Sequence, residues 1–147
     1  MTIAPNPDHV LMRAFMAGDG VAVAVETNGL FRALNTTLVG YDAGARTVTL
    51  RYEPGDLFRQ GSGVMQGGAI SAMLDFAMAF AAMTTVELTS SVTTTAMNTT
   101  FYAAGNGAVY EALGKVEKPG RRVVFTSAIL SCEGRQIAAA TSTLLVV

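Results

Sequence analysis

Residues 64–78 read VMQGGAISAMLDFAM, and the reading of this stretch decides the fold. Beyond the paired glycines the apolar residues continue to Val86, with one charge, Asp75, in their midst. A helix that is apolar on nearly every side is one that the rest of a protein wraps. A membrane span over Ala69–Val86 is the competing reading. Against it stand Asp75 near the centre, the lack of a closely flanking Lys or Arg, and the Gly-rich and Thr-rich runs at either end. An ionised carboxylate in apolar surroundings is costly, so Asp75 needs a partner, a shifted pKa or a chemical task.

Downstream of the helix, which should run from Gly67 or Gly68 to about Thr85, the texture is β. Val92–Tyr102 is Thr-rich, Gly105-Asn106-Gly107 turns the chain, and Ala108–Glu117 reads as a strand. Lys118-Pro119-Gly120-Arg121 places Pro and Gly at the centre of a type II turn. Arg122–Ser131 and Gln136–Val147 are two more strands, joined at Glu133-Gly134. Upstream, Thr36–Tyr41 and Arg46–Tyr52 form a hairpin in which Val48, Leu50 and Tyr52 alternate with polar residues. Residues 53–63 read as a loop, Pro7 or Asp8 to about Ala17 as a short helix, and Val21–Glu26 as a helical turn. The outline is α+β, a sheet curled around one helix. Its 147 residues suit a single domain, with residues 1–30 a helical entry segment and residues 31–147 the main body.

Charged residues make up only 14% of the chain, well below the usual quarter, so part of its apolar surface is expected to be covered by another subunit. A net charge of −1 offers no general attraction to nucleic acid or to an anionic membrane. The single Cys132 and the absence of a CxxC fit a reducing cytoplasm, and the N-terminal residues do not read as a signal peptide. The one histidine, His9, stands near the N-terminus, which argues against a Ser-His-Asp triad, a Cys-His pair or a His-based metal cluster. Gly61-Ser62-Gly63 is not a nucleophile elbow, and the glycines of 63–68 fit neither a phosphate loop nor GxGxxG. The acids are scattered, so no metal site is expected.

What remains is the helix. Gly67 and Gly68 stand where the first N–H groups lack intrahelical partners, so a carbonyl could approach them closely with the helix dipole behind them. Tight packing at a turn would explain the same glycines. Asp75 lies two turns on, with Ser71 one turn before it on the same face. It is either a structural acid held by Ser71 or by a neighbouring strand, or a base or nucleophile sharpened by dryness. Eight residues of helix separate Gly67 from Asp75 by about 12 Å. One carbonyl can hardly meet both within a chain, so joint action requires Asp75 from a second subunit whose helix runs antiparallel alongside. Thr94, Asn98 and Thr100 fall on one face of their strand by alternation. That face is solvated or an interface, or Thr94 positions a water near Asp75. Lys115, Lys118, Arg121 and Arg122 mark a solvated turn or a small phosphate patch.

QGSGVMQGGAISAMLDFAMAFA at 60–81, followed by the Thr-rich strand and a Lys-Pro-Gly-Arg-Arg turn, resembles the hotdog-fold acyl-CoA thioesterases. The branch it is most similar to holds the phenylacetate-pathway thioesterase and the human thioesterase-superfamily proteins, and the likeness spans residues 30–147. Family members usually show Asn-x-x-Gly-x-x-His-Gly-Gly and then the acid. Gly63, Gly67, Gly68 and Asp75 match, whereas Gln60 stands at the Asn position and Gln66 at the His position. The resemblance implies that the Gly67 N–H polarises a thioester carbonyl while Asp75 of a neighbouring subunit activates water or attacks directly. Thr94 would orient the water, Gln60 would keep an amide donor on a longer arm, and Gln66 would hold the loop. Gly68 and Ser71 would border the substrate, and Gly120 and Arg121 resemble a turn that contacts the CoA nucleotide. It implies a homodimer or a dimer of dimers with no cofactor, CoA being part of the substrate. The alternative is a non-catalytic acyl-CoA or lipid binder; a dehydratase would need a site histidine that His9 does not supply.

Overall fold

The computed structural model describes residues 4–147. Its elements are α1 (Pro7–Ala17), β1 (Val23–Ala24), α2 (Gly29–Ala33), β2 (Thr36–Asp42), β3 (Thr47–Tyr52), α3 (Gly67–Met83), β4 (Val92–Phe101), β5 (Tyr110–Lys118), β6 (Val123–Cys132) and β7 (Arg135–Val146). The strands form one antiparallel sheet in the order β1-β2-β3-β5-β6-β7-β4. The sheet curls around α3, the hotdog arrangement.

Ten residues of α3 are buried, among them Met73, Leu74, Met78 and Phe80. The tightest approach of helix to sheet is at Gly114 of β5. A methyl added there would lie 2.1 Å from the Ala77 carbonyl oxygen, so a side chain would push the helix off the sheet. Tyr52 fixes the same region from β3 by donating from its hydroxyl to the Met73 carbonyl, 2.8 Å away. Burial first, and the Asp75 charge second, push the Tyr52 phenol well above its usual range. On the far side of α3, Phe31 of α2 packs its ring 4.0 Å from Phe76 and 5.6 Å from Phe80, centroid to centroid. Among the described residues no helix is long and apolar enough to cross a membrane.

Three local expectations are corrected and one further element, α2, is found. Val23–Ala24 pair with Leu38 and Thr37 as a short strand, not a helical turn, because the sheet edge at β2 supplies the partners that a two-residue segment lacks alone. Gly29–Ala33 is a helix that alternation does not reveal; the Asn28 side chain caps it by accepting from the Phe31 N–H. The long helix ends at Met83, where the Thr84 and Thr85 hydroxyls donate to the Ala81 and Ala82 carbonyls and close it. Gly120 does not have the positive φ that a type II turn demands. It is glycine because a methyl would lie 2.2 Å from the Val123 carbonyl oxygen. Glu133 and Gly134, at φ 49° and 79°, make the two-residue hairpin turn between β6 and β7.

Candidate active site

Gln66 is the N-cap of α3, and its side chain makes no capping bond. Its carbonyl accepts from Ala69 and Ile70 at 3.0 and 3.1 Å, so the two donors before them, the N–H groups of Gly67 and Gly68, are left over. Neither has an acceptor among the described residues. A hollow of about 350 Å³ opens at this end, lined by Gln60, Met65, Gly67, Ile70, Phe101 and Gly105 among others. The two glycines are not explained by packing within the chain. A methyl on Gly67 would rest at an ordinary 3.6 Å from the Phe101 ring, and one on Gly68 would meet nothing within 4 Å. Neither has a positive φ. The space they leave is open to something that comes from outside.

The loop leading into the helix is held by Arg59, a residue that sequence reasoning did not single out. Its guanidinium donates to the Asp56 carboxylate and to the carbonyls of Gly63, Asn106 and Gly107, tying residues 56–63 to the turn at 105–107. The Met65 N–H donates to the Gly105 carbonyl across the same seam. Gln60 and Gly105, which line the hollow, therefore belong to one clamped unit. Gln60 and Gln66 are both exposed.

Asp75 is half-buried, contrary to the fully buried acid that its apolar neighbours suggest. With Gly68, Ser71, Ala72, Phe76 and Ala79 it forms the incompletely covered stripe of α3, at the spacing of one helix face. Its partner is Thr94 of β4, whose hydroxyl donates to Asp75 Oδ1 at 2.7 Å. Ser71 makes no such bond among the described residues. A bulge makes the Thr94 contact possible. The register between β4 and β7 pairs Thr94 with the buried Leu144 but shifts before Ala96, which pairs with Thr143. Thr94 therefore faces α3, while Asn98 and Thr100, opposite Thr141 and Ala139, lie on the other face. Simple alternation, which placed all three together, fails at Thr95; its hydroxyl donates to the Thr143 carbonyl at the bulge.

The site residues thus form three groups. Gln60, Gln66, Gly67 and Gly68 gather at the start of α3; Asp75 and Thr94, with Ser71 a turn away, meet midway along it. Gly120 and Arg121 stand near its other end, lining a hollow of about 490 Å³ with Thr85, Val86, Glu87 and Ser90. The hollow at Gly67 does not include Asp75. Among the described residues no group of three His, Cys, Asp or Glu side chains is placed to hold a metal.

A family model described as the thioesterase superfamily matches residues 62–139, more than half of the chain. A search of curated proteins returns no match. Among solved structures, the chain is similar to a phenylacetic acid degradation-related protein of Ralstonia eutropha JMP134. That likeness has a TM-score of 0.80 at 25% identity and covers 91% of this chain and 98% of that one. A thioesterase family protein of Silicibacter pomeroyi aligns at TM-score 0.77 and 21% identity, over 95% and 98% of the two chains. A Bacillus halodurans protein crystallised with CoA aligns at TM-score 0.65 and 20% identity, over 67% and 66%.

Proposed function

Because this chain belongs to the thioesterase superfamily, we propose that it hydrolyses acyl-CoA thioesters at sites that two chains share. The observation that carries this reading is the pair of N–H groups at Gly67 and Gly68, without partners among the described residues and bare of side chains although no contact among those residues requires it. The thioester carbonyl oxygen accepts from the Gly67 N–H, and the helix dipole stabilises the negative charge that grows on it. Asp75 takes a proton from water as the water oxygen bonds to the carbonyl carbon. Thr94, whose hydroxyl hydrogen is engaged in the bond it donates to Asp75 Oδ1, keeps its proton and offers oxygen lone pairs to orient that water. Collapse of the tetrahedral intermediate breaks the C–S bond, and the proton held by Asp75 passes to the departing sulfur. The products are a carboxylic acid and CoA, and no further cofactor enters the balance. Gln60, which lines the hollow, and Gln66, at the N-cap of α3, assist as amide donors.

Two features support sharing between chains. Gly67 and Asp75 lie about 12 Å apart along one helix, too far for one carbonyl. Among the described residues β4 ends the sheet with one edge unpaired, and the half-covered stripe of α3 lies beside it. Antiparallel pairing of two β4 edges about a two-fold axis lays the two stripes together and carries Asp75 of one chain toward Gly67 of the other. A homodimer or a dimer of such dimers follows. Support for CoA as the thiol comes from the Bacillus halodurans relative crystallised with it, and from Arg121 at the second hollow as a phosphate ligand. The free, buried Cys132 suits a reducing cytoplasm.

Complementation tests this reading. Asp75→Ala and Gly67→Pro homodimers should each lose nearly all turnover, and mixing them after mild denaturation should regenerate one intact site per heterodimer. Thiol release from an acyl-CoA panel should recover to about a quarter of wild type on statistical mixing. No recovery rejects the shared site. Wild-type protein that binds acyl-CoA without turnover is a binding protein and not a hydrolase.

A further inference from the structure

Helix α1 carries a set of polar contacts that the proposed reaction does not use. His9, fully buried, places Nδ1 3.0 Å from the Ser90 carbonyl oxygen. That oxygen can only accept, so Nδ1 carries the hydrogen and Nε2 is left to accept from Arg13 Nε, 3.4 Å away. Arg13 also donates to the Val86 carbonyl, and the Asn6 side-chain amide donates to Ser91 Oγ at 3.0 Å. Three side chains at the start of the chain therefore hold the loop between α3 and β4. Val86 and Ser90, the two residues held by their carbonyls, also line the hollow that contains Gly120 and Arg121.

We propose that α1 sets the shape of the nucleotide subsite, with His9 and Arg13 as positioning residues for the CoA moiety. This rests on the acyl-CoA reading above. Glu87 sits between the two held residues and lines the same hollow, so the loop determines how near a carboxylate stands to phosphates drawn to Arg121. The backbone bonds of the loop run from Ser90 to Glu87 and between Ser91 and Val147. They close the turn at Glu87 and anchor the loop's end, and leave the Val86 and Ser90 carbonyls, on either side of Glu87, to the ties from α1. Loosening those ties lets the carboxylate drift toward the phosphates, weakening binding of the nucleotide while the thioester at Gly67 is untouched.

Steady-state kinetics on two thioesters of the same acyl group test this, one of CoA and one of N-acetylcysteamine, which lacks the nucleotide. Arg13→Met and His9→Leu should raise KM for acyl-CoA about tenfold with kcat unchanged, and leave both constants for the short thioester as in wild type. His9→Asn, whose amide nitrogen falls near the Nδ1 position, should restore KM. If the buried His9→Leu variant does not fold, Arg13→Met, which keeps the aliphatic stem, carries the test. Equal changes on both thioesters, or no change on acyl-CoA, overturn the positioning role. Wild-type protein that turns over only the short thioester overturns the acyl-CoA reading itself, and this inference with it.

Discussion

On the inward side of α3, Gly114 meets Ala77 so closely that a methyl would lie 2.1 Å from a carbonyl oxygen; at the outward start of the helix, Gly68 has nothing within 4 Å. The same residue type serves opposite ends in the two places. Gly114 lets the helix settle onto the sheet, and its loss is felt by the fold. Gly67 and Gly68 keep open a space that the chain itself does not fill. Asp75 follows the same division: it sits on the half-covered stripe, bonded to Thr94, while Met73, Leu74, Ala77 and Met78 are fully buried. The inward face is filled by the chain's own core, and the outward face carries groups that the chain leaves only partly covered.

Four substitutions press on this contrast. Asp75→Asn should lower turnover about 10²–10⁴-fold, with the melting temperature essentially unmoved; a thiol-release assay beside a thermal melt decides it. Full activity in this variant removes Asp75 from the reaction. Gly67→Pro deletes one N–H at the first helical position, where proline is tolerated. Gln66 is already extended at ψ 138°, as a residue before proline must be. Its kcat should fall about 10²–10³-fold with circular dichroism unchanged, and a collapsed fold would show that the position is structural after all. Gly114→Ala should cost about 1–3 kcal/mol in denaturant unfolding, while the molecules that remain folded keep their turnover. Tyr52→Phe should cost about 1 kcal/mol through the lost bond to the Met73 carbonyl, measured by the same unfolding curves, and likewise leave turnover near wild type.

The candidate site residues at the helix were legible because each violates a local expectation: a charge in an apolar helix, and two glycines where a helix former belongs. The hairpins were legible from β-alternation and from Glu133-Gly134, whose positive φ values make the tight turn. Thr94 was legible only in part. Alternation placed it with Asn98 and Thr100, and the bulge at Thr95 turned it toward Asp75 instead. A bulge is set by how two strands fit over a curved core, which no local pattern records. Arg59 was not legible, because its acceptors include backbone carbonyls 47 and 48 residues away. His9 was read only as a residue that excludes other chemistries. Its buried place against Ser90, 81 residues on, depends on where α1 docks.

By itself the sequence determined that one apolar helix would be wrapped by a late run of antiparallel strands, because helical and alternating hydrophobic periods are local and need no partner to be read. It also determined that Gly67 and Asp75 stand about 12 Å apart, since helix rise is a constant of the backbone. Only the tertiary structure decided that Thr94 is the residue that meets Asp75, that Gly114 and not Gly67 is the packing glycine, and that α1 grips the loop beside Arg121. Each of these depends on contacts between segments far apart in the chain, whose geometry exists only once the sheet has closed on the helix.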